Sequence, residues 1–385
     1  MTDTLDQYAA EKLAEIDQRN LRRSLIDTDR QQGAIAVRNG RRLISFCCND
    51  YLDLSHHAAL KKAAKEAVDR QGVGSGASRL VTGNHPLFSE LESRLARLKG
   101  TEAAVVFGSG YLANVGIIPC LVGPEDLLLA DELSHACLMA GASLSQAKQL
   151  IFRHNDMKHC AEFLAEHRQN HQRCLIVTDG VFSMDGDLAP VDELATIAEA
   201  HDAWLMTDDA HGIGVLGDGR GSSFIGGKRS NVPLQMGTLS KAIGVYGGYL
   251  CASQTVIDLI RNRARSLIYS TGLPPAAAGA AIAALDLIEA DPDWAASPVR
   301  KARDFARALN LPEPESCIVP IIIGNETKAL EASKSLEEKG FLVTAIRPPT
   351  VPEGTARLRF TFSAAHSDAD ITRLTGAVRD LGINA

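Results

Sequence analysis

Between about residues 100 and 270 the chain alternates short, uninterrupted apolar runs with stretches of helical periodicity, and few folds accept that pattern. The runs are AAVVF (103–107), DLLLA (126–130), QLIFR (149–153), CLIVT (174–178), AWLMT (203–207) and YLCAS (249–253). A strand with one wet face alternates apolar and polar residues; a run that is apolar throughout belongs to a strand buried on both faces. Helices between such strands cover a mostly parallel sheet, so the expected class is α/β. In open sheets of this kind ligands sit beyond the carboxyl ends of the strands. The residues that follow each run are therefore the ones to inspect for chemistry.

The flanks read differently. Residues 1 to about 32 are expected to form an amphipathic helix, with Leu5, Tyr8, Leu13 and Ile16 at helical spacing. RRLISF (41–46) reads as an extended piece. Past Pro274 and Pro275 comes an alanine-rich helix. The order then runs strand (318–323), helix (327–339), strand (341–346), strand (356–362) and helix, a smaller α/β domain. The expected division is an N-terminal helical arm over 1–47, a large domain over 48–275 and a small C-terminal domain over 276–385.

Charge and cysteines narrow the function classes. A net charge of −7 argues against coating nucleic acid or an anionic membrane. No apolar run approaches the roughly 20 residues that cross a bilayer. The acidic N-terminus lacks the apolar core of a secretory signal, which predicts a cytoplasmic protein. The eight cysteines follow no framework spacing, and Cys47 and Cys48 are adjacent, so reduced thiols and no zinc site are expected.

Three elements follow strands in order. After the first run, Gly108-Ser109-Gly110-Tyr111 opens a helical pattern, and a helix N-terminus offers N–H groups to a phosphate; such a turn also simply caps helices. After AWLMT comes Asp208-Asp209-Ala210-His211, a carboxylate and an imidazole that can address one small ring, or that can close a turn. A carboxylate facing a pyridine nitrogen keeps that nitrogen protonated and makes the ring an electron sink. About thirty residues on, Thr238-Leu239-Ser240-Lys241 precedes a glycine-rich stretch, and a lysine there can join an aldehyde covalently. His135, in DELSHA, could stack on a planar cofactor, and Ser183, in DGVFSMDG, could donate a hydrogen bond to it; each could equally serve a local turn.

This ordered set resembles the fold-type I pyridoxal phosphate (PLP) enzymes, and within them the α-oxoamine synthases, over about residues 21–366. FCCNDYLDLSHH is similar to a stretch of that family, with Cys47 and Cys48 where serines are usual and Asp53 where glycine is usual. GSGASRLVTGNHPLFSELE, LSHACLMAGASLS, DGVFSMDGDLAP, IYSTGLPP and TAIRPPTVPEGTARLRFTFSAAH resemble the branch that joins L-alanine to a pimeloyl thioester. A sister branch uses glycine and acetyl-CoA. A catalytically silent subunit of the same fold would be expected to lack Lys241.

The resemblance implies a large domain with a mostly parallel sheet, a small C-terminal domain and a helical arm. It also implies a PLP-dependent acyl transfer with loss of CO2, the acyl group riding on CoA or on acyl carrier protein (ACP). Carried over residue by residue, Lys241 holds the cofactor and moves a proton, Asp208 pairs with the ring nitrogen and His211 contacts the ring hydroxyl. His135 stacks on the ring, Ser183 and Thr238 bind cofactor oxygens, and Gly110 and Tyr111 form the phosphate turn. Asn49 and Arg347 hold the substrate carboxylate with Thr350 beside them, and Arg22 contacts the acyl substrate. A homodimer is implied, in which Ser270 and Thr271 reach the partner's cofactor.

Overall fold

The computed structural model describes residues 4–18 and 21–382. In chain order its strands are β1 (Asp29–Gln31), β2 (Ile35–Arg38), β3 (Arg41–Ser45), β4 (Ala103–Phe107), β5 (Leu127–Asp131), β6 (Lys148–Phe152) and β7 (Cys174–Asp179). They continue with β8 (Trp204–Asp208), β9 (Leu234–Thr238), β10 (Gly248–Ala252), β11 (Ile318–Gly324), β12 (Phe341–Leu342), β13 (Thr344–Ile346) and β14 (Ala356–Thr361). The chain divides into two compact units, 48–319 with 361–366, and 1–47 with 320–360 and 367–385.

The larger unit is built on a seven-stranded sheet in the order β4-β10-β9-β8-β7-β5-β6. All six expected apolar runs are strands here, each within one residue of its expected start. Strands β5, β6, β7, β8 and β9 pair in parallel, whereas β10 runs antiparallel to both β4 and β9. The carboxyl ends of β4, β5, β6, β7, β8 and β9 thus share one edge with the amino end of β10. Leu127, Leu128 and Leu129 are fully buried, each contributing about 2 kcal/mol through burial. β9 has no continuous apolar signature, because Gln235 and Gly237 interrupt LQMGT; pairing on both sides makes it a strand.

The helix Pro275–Ala290 belongs to this larger unit. Its glycine explains the packing: a Cβ on Gly279 would lie 3.0 Å from the Ala63 carbonyl oxygen and 2.9 Å from the Ala67 methyl. That close approach ties it to the helix Ala58–Gln71 of the same unit.

The smaller unit corrects two expectations. The N-terminal helix spans Leu5–Gln18 rather than reaching residue 32; residues 1–3, 19 and 20 of that expected helix lie outside the described residues. Its apolar spacing stops at Ile16, and further on a hairpin takes over, with β1 pairing β2 around Gly33 and Ala34, both at positive φ. The expected strand over 341–346 is two strands: β12 pairs in parallel with β3, and β13 antiparallel with β14. Val343 sits between them, where the chain changes sheets.

Candidate active site

At the shared strand edge, β8 ends on Asp208 and the turn that follows carries Asp209, Ala210 and His211. Asp208 is 3% exposed. Its Oδ1 accepts the Ala210 N–H at 2.9 Å, and its Oδ2 accepts the Asn114 amide at 2.7 Å. Both donors are neutral. A buried carboxylate needs such partners, because each unmet oxygen would cost several kcal/mol.

The turn itself is pinned from beneath by a second carboxylate. Asp209 accepts the Lys99 ammonium at 2.7 Å and the Ser222 N–H at 2.9 Å. The two side chains of the Lys99–Asp209 pair are fully buried. Breaking one side of such a pair strands the other charge.

Lys241 follows β9 on a short turn in which the Thr238 hydroxyl donates to the Gly247 carbonyl at 2.7 Å and accepts the Ser240 N–H. Its Nζ lies 2.6 Å from Nε2 of His211, and the opposite ring nitrogen lies 2.6 Å from the Tyr51 hydroxyl. Tyr51 donates its proton to Asn49 Oδ1 at 3.3 Å. His211 thus turns Nε2 to the lysine and Nδ1 to the phenol oxygen. The imidazole is fixed from both sides.

The glycine turn after β4 opens the helix Gly110–Leu121, capped by the Ser109 hydroxyl on Leu112 N–H. The first-turn N–H groups of Gly110 and Tyr111 have no carbonyl within the helix to accept them, which suits an anion. A Cβ on Gly248 would lie 2.5 Å from the Ser109 carbonyl oxygen, so β10 needs glycine there for this turn to sit at the sheet edge. His135 caps the helix Ala136–Ser145, and its own N–H donates to Asp179 Oδ2 at 2.8 Å. Burial lowers the His135 pKa, the Asp208 charge opposes that, and Lys241 adds to it. Burial, and then the Asp208 charge, raise the Asp179 carboxyl well above its ordinary range.

Gly110, Tyr111, His135, Asp208, His211, Thr238 and Lys241 thus all follow or end strands at one edge. Ser183 sits in the turn closed by the Val181–Leu188 bridge after β7. Thr271 bridges Ser78 antiparallel, and with Ser270 it lines a small cavity with Arg79 and Gly108. Asn49 is in the same unit, beside Tyr51. Arg22, Arg347 and Thr350 are in the other unit: Arg22 pairs with Asp17 at 2.8 Å, and the Thr350 N–H donates to the Arg347 carbonyl at 3.1 Å. Asp53 adopts φ 54°, the left-handed region where glycine is favoured, at a cost of about 1 kcal/mol. Asp50 supports that turn by accepting the Leu54 and Ser55 N–H groups.

Sequence reasoning missed Tyr51 and Asn114. Tyr51 lies two residues after Asn49 in the run NDYL, so the motif held it. Asn114 is one turn into a helix with no polar pattern, and only folding places it against Asp208. None of the eight cysteines forms a disulfide, and no helix among the described residues is long and apolar enough to cross a membrane.

The family description "Aminotransferase class I and II" matches residues 41–378. The chain is 64% identical over 345 residues to the 8-amino-7-oxononanoate synthase of Methylocella silvestris, covering 90% of this chain and 98% of that one. It is 58% identical over 379 residues to the enzyme of the same name from Beijerinckia indica subsp. indica, covering 98% of each. Among solved structures, serine palmitoyltransferase from S. paucimobilis with a bound PLP–myriocin aldimine superimposes with a TM-score of 0.90 at 27% identity, over 99% and 98% of the two chains.

The donor set fits PLP. An amine, a buried carboxylate held by neutral donors, an oriented imidazole and a helix N-terminus stand at one sheet edge, matching the aldehyde, ring nitrogen, ring hydroxyl and phosphate of that group. The chain belongs to the aminotransferase class I and II family of pyridoxal-phosphate-dependent enzymes, in its 8-amino-7-oxononanoate synthase branch.

Proposed function

We propose that this enzyme condenses L-alanine with a pimeloyl thioester, on CoA or ACP, to give 8-amino-7-oxononanoate, CO2 and the free thiol, a step toward biotin. The observation that carries the reading is the Lys241–His211–Tyr51 chain beside a buried Asp208, together with 64% identity to a synthase of that name.

When bound, PLP supplies an aldehyde for an amine and a cationic ring that draws electron density from the alanine Cα. Lys241 would hold that aldehyde, and its amine would take and return the Cα proton. Asp208 keeps the ring nitrogen protonated, and His211 holds the ring hydroxyl. His135 would stack on the ring, Ser183 and Thr238 would bind its oxygens, and Gly110 and Tyr111 would take the phosphate. Asn49 and Arg347 capture the alanine carboxylate, where a guanidinium fork offers two parallel hydrogen bonds. Thr350 flanks that group and Arg22 meets the acyl chain. In a homodimer Ser270 and Thr271 reach the partner's cofactor, and sedimentation of an active monomer would remove that assignment.

The deciding assay supplies alanine, glycine or serine with acetyl, pimeloyl or palmitoyl thioesters and identifies products by mass. Alanine with the pimeloyl thioester is expected to dominate. Preference for glycine with acetyl-CoA, or serine with palmitoyl-CoA, overturns the substrate assignment. Asp208→Asn is expected to lose on the order of 100-fold or more in turnover; a rate within two-fold of wild type removes the role given to that carboxylate.

A further inference from the structure

The group nearest Asp208 that the reaction leaves unassigned is a buried amide and thiol. Asn114 is fully buried on the helix Gly110–Leu121, and Cys137 lies one residue into the helix Ala136–Ser145. The two helices approach closely because residue 141, one turn beyond Cys137, is glycine. A Cβ there would lie 2.6 Å from the Asn114 carbonyl oxygen and 2.9 Å from the Ile118 methyl.

A primary amide has two N–H groups, and Asn114 places both. Its Nδ2 lies 2.7 Å from Asp208 Oδ2 and 3.0 Å from Cys137 Sγ. The thiol therefore accepts from the amide and has one proton to give. His135 Nδ1 lies 2.8 Å from the sulfur, whereas Asp208 Oδ2 lies 4.0 Å away, so the imidazole nitrogen receives it. The Cys137 backbone N–H reaches the same nitrogen at 3.3 Å. Protonation states agree with these directions. Burial, reinforced by the Asp208 charge, pushes the Cys137 thiol up to about 12, so it keeps its proton at neutral pH. Burial lowers His135, which favours the neutral ring that can accept at Nδ1.

We propose that Asn114 and Cys137 are positioning residues that join the Asp208 carboxylate to the His135 imidazole, the amide fixing the carboxylate and the thiol fixing the tautomer with its proton on Nε2. The chain of donors runs Cys137 S–H to His135, then Asn114 N–H to both Cys137 and Asp208. His135 thereby presents Nε2–H as its donor, and Asp208 keeps the oxygen geometry a ring nitrogen needs. The proposal rests on the assignment of Asp208 and His135 to the cofactor site.

The test uses ring-15N-histidine protein, wild type and Cys137→Ala, Cys137→Ser and Asn114→Ala, with the His135 resonance identified by its loss in His135→Asn. In the apoproteins, wild type and Cys137→Ser are expected to show an unprotonated Nδ1 and a protonated Nε2. Cys137→Ala is expected to move toward a tautomer average, since only the weaker backbone donor remains. Asn114→Ala, checked for folding by circular dichroism, is expected to raise the PLP dissociation constant about ten-fold or more. A protonated Nδ1 in wild type, an unshifted ring in Cys137→Ala, or unchanged cofactor affinity in Asn114→Ala overturns the proposal. Failure of the site assignment itself has a different signature: borohydride would fix no PLP to Lys241 of the wild-type protein, while the histidine spectra would still report on the thiol.

Discussion

Lys99 and Lys241 occupy two regions of the same unit, below and within the strand-edge turn, and their side chains have opposite fates. Lys99 is fully buried, locked to the Asp209 carboxylate at 2.7 Å and also bonded to the Arg220 carbonyl. Lys241 is half-buried, and its amine meets the ring nitrogen of His211 at 2.6 Å. An ammonium enclosed with a carboxylate is a strut, since moving either member leaves a buried charge unpaired. An amine held by an imidazole at an accessible edge is placed for chemistry. The same contrast separates the neighbours Asp208 and Asp209: one is held by neutral donors and the other by a cation.

The comparison breaks most sharply at Lys241. Lys241→Ala is expected to reduce turnover to background and to abolish borohydride labelling, while the urea midpoint stays near wild type. Wild-type-like turnover in that variant would remove the lysine from the chemistry. Lys99→Met makes the opposite prediction, a stability loss of about 3–5 kcal/mol from the stranded Asp209. Lys99→Met with Asp209→Leu should recover much of it. Urea denaturation checks both, and an unchanged midpoint in the single variant would show that the pair is no strut.

Tyr51→Phe sharpens the Lys241 side. Loss of one hydrogen bond to His211 is expected to cost roughly two- to ten-fold in turnover with little change in stability. A stability loss as large as that of Lys99→Met would instead mark Tyr51 as structural.

A third cation is His154, whose ring nitrogens lie 2.9 Å from Asp131 and 2.7 Å from Asp187. Burial would lower it, but hydrogen bonds and charges from the two carboxylates outweigh that and push it up to about 10 from 6.5. A raised folded-state value stabilises fully below the unfolded value. That contribution is therefore expected to fade as pH rises from 6.5 toward about 10. Stability measured against pH should fall over that window in wild type and stay flatter in His154→Gln. Parallel profiles would show that the histidine is not a charged clamp.

Much of this was legible in the chain. Strands buried on both faces must be apolar throughout, so six of the seven strands of the large sheet announced themselves as runs, and the places of Gly110, His135, Ser183 and Asp208 follow from where those runs end. β9 escaped because Gln235 and Gly237 broke its run, and its strand character comes from neighbours on both sides. The N-terminal helix was over-read because a hairpin between β1 and β2 takes over part of its expected length.

By itself the sequence determined the fold class and the strand-edge placement of Asp208 and His211, because burial and turn chemistry are written in local residue patterns, and its motifs carried the resemblance to the family. Only the tertiary structure decided which lysine is a strut and which meets an imidazole, and which amide and thiol stand behind Asp208 and His135. Those outcomes depend on partners distant in the chain, such as Tyr51 with His211 and Lys99 with Asp209. A hydrogen bond or ion pair forms only where packing brings two groups within about 3 Å, and no local pattern encodes that distance.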